Sequence, residues 1–229
     1  MTEVDEVDGV DDVTDVARVL RGLADGDASV RLRTALAAGT DPDPRYVDGL
    51  VERCAVEPEL FVRDMLTWAL TRHPVPLTLP RLLGELRSAR ARARSQSLHT
   101  LSKIGDRRAW PSITRALLTD ADDEVARCAW RAAVVLAPED EVPALAGVLA
   151  TQLGRGGRET RLSLSRALIA LGADVVVPVL RGAAQDCDPR VREHAIGTER
   201  LLRDPDAGFE SAIEEAKRVV ALGTTGREG

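Results

Sequence analysis

One phrase recurs along this 229-residue chain about every 32 residues, and that periodicity constrains the fold more than any other feature. A marker position placed just before the phrase's usual arginine falls at Val30, Val62, Ala93, Val125, Thr160 and Val191, with spacings of 32, 31, 32, 35 and 31. Arginine follows it as Arg31, Arg63, Arg94, Arg161 and Arg192, while Ala126 is the exception. Pro80, Pro111, Pro143 and Pro178 lie eighteen residues beyond four consecutive markers. Proline is tolerated in a helix's first turn, so each is expected to mark a helix start. The pattern predicts second helices near 29–38, 58–72, 90–104, 122–136, 158–171 and 188–203, each preceded by a first helix, and a capping helix near 206–221.

Aromatic residues make up only 3% of the chain, so its core must be built almost wholly from Leu, Val and Ala, which suits close helix contacts. An antiparallel helix pair cannot cover its own apolar stripes, so neighbouring pairs stack and share one core. With the phrases Ile104-Gly105-Asp106-Arg107, Asp122-Asp123-Glu124-Val125 and Asp188-Pro189-Arg190-Val191, the chain resembles the HEAT-repeat family, including its short PBS-lyase-like, armadillo-type members. The resemblance implies an all-α fold, a right-handed α-α superhelix (solenoid) of about six HEAT-like helix pairs with a C-terminal capping helix. The expected repeat domain covers 14–222, and 223–229 is expected to be a flexible C-terminus.

Seven of the 37 acidic residues lie between Met1 and Asp15, where no basic residue occurs, so the remainder is near neutral. An acidic leader without aromatics cannot bury enough apolar surface to offset its ordering entropy, and residues 1–13 are expected to form a disordered tail. No apolar run approaches the roughly 20 residues of a membrane span, and the N-terminus lacks the pattern of a signal peptide. A cytoplasmic location is expected. Cys54, Cys128 and Cys187 are odd in number and far apart, which fits buried thiols rather than disulfides or a metal site. Gly154, Gly156 and Gly157 mark a longer loop within one pair.

Stacked second helices of such solenoids line a groove. With the marker and the positions four, eight and eleven beyond it taken as core, the position six beyond should face that groove: Leu36, Trp68, His99, Arg131, Arg166 and Gly197. Asp64, Arg127 and Glu193 lie two beyond, Trp130 five beyond, and Arg200 nine beyond. Aromatic and arginine side chains are enriched at interfaces, which makes Trp68, Trp130 and Arg131 the leading anchors for another protein or peptide segment.

A basic run from Arg81 to Arg115 carries nine cations, among them Arg90, Arg92, Arg94, Lys103, Arg107 and Arg108, against Glu85 and Asp106. It suggests a second use, nucleic-acid binding, in the manner of the AlkD-type DNA glycosylases that are also helical-repeat proteins. Arg90, Arg92 and Arg94, spaced by two, fan over about 200° of a helix and cannot all meet one phosphate backbone. His73, His99 and His194 fall in separate repeats without metal-ligand spacing, and the chain lacks a nucleophile-elbow sequence. The His-Glu pairs with which deoxyhypusine hydroxylases of this fold hold iron have no counterpart beyond the reversed Glu193-His194. The sequence therefore predicts a non-enzymatic adaptor or scaffold with no cofactor, no metal and no catalytic residue.

Overall fold

The computed structural model describes residues 15–204. Among them are helices and no strand: α1 (15–23), α2 (Ala28–Thr40), α3 (Val47–Cys54), α4 (Leu60–Arg72), α5 (Val75–Glu85), α6 (Ala91–Ile104), α7 (Arg115–Leu118), α8 (Asp123–Leu136), α9 (Val142–Ala150), α10 (Arg158–Ala170), α11 (Ala173–Ala183) and α12 (Pro189–Arg203). The even-numbered helices from α2 to α12 are the six second helices expected from the repeat, within two residues of most expected ends. The expected acidic tail, capping helix and flexible C-terminus lie outside the described residues.

The chain divides into two compact units between Pro138 and Glu139. In the first unit, α2, α4, α6 and α8 pack side by side, and α3, α5 and α7 back them as the first helices. In the second unit, α9 and α11 pack together and α10 and α12 lie against them.

Aspartates start three of the second helices. Asp27, Asp122 and Asp188 accept hydrogen bonds from the backbone N–H groups of Ser29, Glu124 and Arg190, satisfying donors that a helix N-terminus leaves without partners. Gly105, with a φ of 71°, closes α6 in the left-handed conformation that glycine adopts without a Cβ penalty.

The prolines depart from expectation. Only Pro143 sits in a first turn, whereas Pro80 and Pro178 lie inside α5 and α11, and Pro111 lies within a 3₁₀ turn spanning Arg107–Ser112. All of these interior prolines are exposed, so the carbonyl that each leaves without an N–H partner can be hydrated. In repeat four the first helix is consequently split into that 3₁₀ turn and the single-turn α7.

The core stripe of the second helices is wider than the sequence suggested. Positions four, five, seven and eight beyond the marker are buried in α4, α6, α8 and α10, because these helices press on a first helix and on neighbouring second helices at once. Trp130, five beyond its marker, is fully buried and donates its indole N–H to the Leu118 carbonyl at 2.8 Å, fastening α8 to α7. Cys54 and Cys128 are buried thiols as expected, but Cys187 is exposed in the turn before α12.

Candidate binding face

Four of the five recurring arginines are joints between loop and helix. Arg31 Nη1 donates to the carbonyls of Asp25 and Gly26, Arg63 to Glu57 and Pro58, Arg94 to Ser88 and Ala89, and Arg192 to Asp186 and Cys187. In every case the acceptors lie six and five residues upstream, so the guanidinium holds the turn that launches its own helix. Two of these arginines also reach the next repeat. Arg31 forks onto the Glu57 carboxylate at 2.7 and 2.8 Å, and Arg94 meets Asp120 at 3.0 Å, partners 26 residues on in both cases.

Glu57 gathers hydrogen bonds from three residues. It is fully buried, accepts also from Arg53 Nε at 2.7 Å, and takes the Glu59 N–H at 3.0 Å. Burial alone would raise its carboxyl. The hydrogen bonds from Arg31, the Glu59 N–H and Arg53 outweigh burial and bring it from 4.5 down to about 2.

These contacts remove much of the expected nucleic-acid patch. Arg94 is spent on Asp120 and its own turn, Arg92 donates to the Glu57 carbonyl at 2.6 Å, and Arg108 is paired with Asp106. Arg90, Lys103 and Arg107 are exposed but stand at the start, near the end and beyond the end of α6, so they form no single track.

The expected groove positions fare better. Trp68 is 38% exposed and Leu36 46%, while Arg131 is exposed and His99 half-buried. These four, each six beyond its marker, form a row across α2, α4, α6 and α8. Trp68 lies against the α2 backbone at Gly39, where an added Cβ would collide with the indole ring and stand 2.8 Å from Ala69 Cα. Asp64 and Arg127 flank the row one turn earlier. Trp130 does not belong to it, for the packing reason given above, and Arg127 is half-buried beside Glu124. Arg166, Glu193 and Arg200 are exposed in the second unit.

Two clefts open along the row in the first unit. One, of about 480 Å³, is lined by Asp64, Arg92, His99, Glu124, Cys128 and Arg131 among others; another, of about 450 Å³, lies between Trp68, Thr71, His99 and Lys103. Asp64 and His99 border both. Burial, with the positive charge of Arg131 and Lys103, pushes the His99 imidazole below its ordinary value, so it is neutral at physiological pH. Arg131 donates to Cys128 Sγ at 3.0 Å, and the thiol is nonetheless pushed up to about 11, mainly by burial. It is not a thiolate nucleophile.

The base of the cleft between α4 and α6 is polar. Thr100 Oγ1 donates to the Gln96 carbonyl, Gln96 Nε2 donates to Thr67 Oγ1, and the two threonine hydroxyls meet at 3.2 Å. Every buried hydroxyl there has a partner, which fixes the spacing of the two helices beneath the face.

In the second unit a serine and a histidine touch, an arrangement that spacing alone did not reveal. His194 Nε2 lies 3.1 Å from Ser165 Oγ and 3.0 Å from the Arg161 carbonyl, while Nδ1 accepts the Gly154 N–H at 3.0 Å. A backbone N–H can only donate, so Nδ1 is the acceptor and Nε2 carries the proton. Thr198 Oγ1 donates to the His194 carbonyl, so Ser165 donates to Thr198. The imidazole therefore cannot deprotonate this serine, and the cluster ties Gly154's loop to α12.

Among the described residues no group of three or more His, Cys, Asp or Glu is placed to hold a metal ion, and no helix is long and apolar enough to cross a membrane. The fold is that of HEAT-repeat proteins, all-α and built from stacked helix pairs. Among solved structures the chain is similar to the karyopherin Kap121p. It matches Kap121p bound to the extreme C-terminus of the protein phosphatase Cdc14p with a TM-score of 0.58 and 19% identity over 80% of this chain. It matches Kap121p bound to Nup53p with a TM-score of 0.56 and 20% identity over 78% of this chain. It spans 23% and 22% of those karyopherin chains, less than a quarter of their length. No protein-family model matches the sequence, and no curated protein matches it.

Proposed function

We propose that the protein is a cytoplasmic, non-enzymatic adaptor that binds a protein segment across the exposed face of α2, α4, α6 and α8. The observation that carries this reading is the row Leu36, Trp68, His99 and Arg131: an aromatic and a long aliphatic side chain remain exposed beside a neutral imidazole and a guanidinium, flanked by clefts. Kap121p, similar in fold, is seen with bound Cdc14p, Pho4p and Nup53p, which supports a binding role for such a face. The unpaired thiols support the compartment.

Peptides selected from a random display library against the immobilised full chain test the reading. Trp68→Ala and Arg131→Ala are each expected to weaken the selected peptides about tenfold, as truncating an interface anchor does. Selected peptides that bind both variants with wild-type affinity would show that the face is not the binding site.

A further inference from the structure

Positions two, six and ten residues beyond each marker form a grid on the outer side of the four second helices, exposed or half-buried except at the buried Ser95. Its charged members are Arg72, Lys103, Arg127 and Arg131 against Asp64, and the exposed Glu124 beside the grid on α8 pairs with Arg127 and Arg131, which leaves an excess of two cations on the face. Its most exposed apolar members are Leu36, Trp68 and Val135. A ligand matched to this grid is acidic and carries small apolar side chains at the spacing of the helices.

Such a segment precedes α1 in this chain. Val4, Val7, Val10 and Val13 recur every third residue, and Glu3, Asp5, Glu6, Asp8, Asp11 and Asp12 fill the space between them with no cation. An extended chain with three residues per turn rises about 9 Å per three residues and brings such valines onto one edge. Packed helices stand about 8–10 Å apart, so successive valines match successive second helices. Four valines correspond to four helices.

The geometry also allows the connection. α1 runs antiparallel to α2, since Gly22 approaches Thr34, and Asp15 lies near enough to Tyr46 to act on its hydroxyl. The chain therefore enters α1 beside the C-terminal end of α2, the end that carries Thr40 and, on the next helices, Arg72 and Lys103. Fourteen residues at about 3.1 Å each reach about 43 Å, more than the three interhelical steps require.

We infer that residues 3–13 dock across α2, α4, α6 and α8 as an internal ligand, with valines on the helix ridges and carboxylates on Arg72, Lys103 and Arg131. This rests on the proposed binding face and names the chemistry that it accepts: an acidic extended segment with an apolar residue at every third position. A tethered ligand competes at an effective concentration in the millimolar range, so an outside partner must displace it.

A photoreactive benzoylphenylalanine in place of Val7 in the full chain tests the inference. Irradiation should give concentration-independent crosslinks within the chain to the tryptic peptides containing Trp68 or His99. The yield should fall about fivefold or more in the Arg72→Glu/Lys103→Glu variant and on raising salt to about 0.5 M, where exposed charges are screened. Circular dichroism confirms that the variant is folded, and Arg72→Gln/Lys103→Gln, which removes charge without reversing it, should give an intermediate yield. Crosslinks that form only between chains, fall elsewhere, or persist unchanged in the charge-reversed variant would overturn it. Replacing Val4, Val7, Val10 and Val13 with serine should also strengthen the library-selected peptides about tenfold by removing the competitor. If those peptides need Trp68 and Arg131 but the probe leaves the face unlabelled, the internal ligand fails and the binding face stands. If the probe labels the face but the peptides ignore Trp68 and Arg131, the segment docks there and the face is not where outside partners bind.

Discussion

Replacing Glu57 with glutamine strikes the joint between the first and second repeats. The carboxylate is fully buried and accepts two hydrogen bonds from Arg31, which is itself only 5% exposed, and one from Arg53. Glutamine keeps one acceptor oxygen but turns the other into a donor that faces guanidinium N–H groups, and leaves the Arg31 charge without a counterion. Breaking a buried ion pair from one side costs about 3–5 kcal/mol, so Glu57→Gln is expected near the lower end and Glu57→Ala near the upper. Urea unfolding followed by far-ultraviolet circular dichroism reads the loss. Acid supplies an independent check. The folded carboxyl titrates at about 2 and the unfolded one near its ordinary 4.5, so its contribution is present above 4.5 and is lost as pH falls from 4.5 to about 2. The gap between wild type and Glu57→Gln should close across that window. Arg31→Met should cost a similar amount, and the double variant less than the sum. A cost for Glu57→Gln below about 1 kcal/mol, the range of exposed pairs, or a gap that stays constant with pH, refutes the reasoning.

Trp130→Phe removes the indole bond to Leu118 and part of a fully buried ring, and should destabilise the first unit by about 2–4 kcal/mol in the same urea assay while leaving the affinity of folded protein for selected peptides unchanged. Gly39→Ala drives a methyl group into the Trp68 ring and Ala69; a cost of about 1–3 kcal/mol, with a shift in Trp68 fluorescence, is expected. Burial pushes the His194 imidazole below its ordinary 6.5, so the network it makes is intact at and above that pH and weakens only as pH falls below it. Hydrogen exchange at the Gly154 amide should accelerate over that range relative to the intrinsic rate, and His194→Gln should remove the dependence.

The helix pairs were legible because their signals are local: a marker every 31 to 35 residues, an aspartate before the helix and a glycine after it. The row of Leu36, Trp68, His99 and Arg131 was legible for the same reason, since phase within one helix decides which side is left over. Trp130 was misplaced because the burial of its position depends on a second neighbour, which no single-helix period records. The recurring arginine was visible as a pattern, but its acceptors are backbone carbonyls, which leave no mark in a side-chain sequence. Ser165 and His194 meet only because two helices 29 residues apart are brought side by side.

The arginine joint has a consequence for descent. For Arg31 and Arg94 both halves of the connection, a guanidinium and the carboxylate 26 residues later, fit within one repeat period, so copying either unit whole carries both fittings to the new boundary. A lineage of such chains can therefore change length by whole repeats without separating these two fittings.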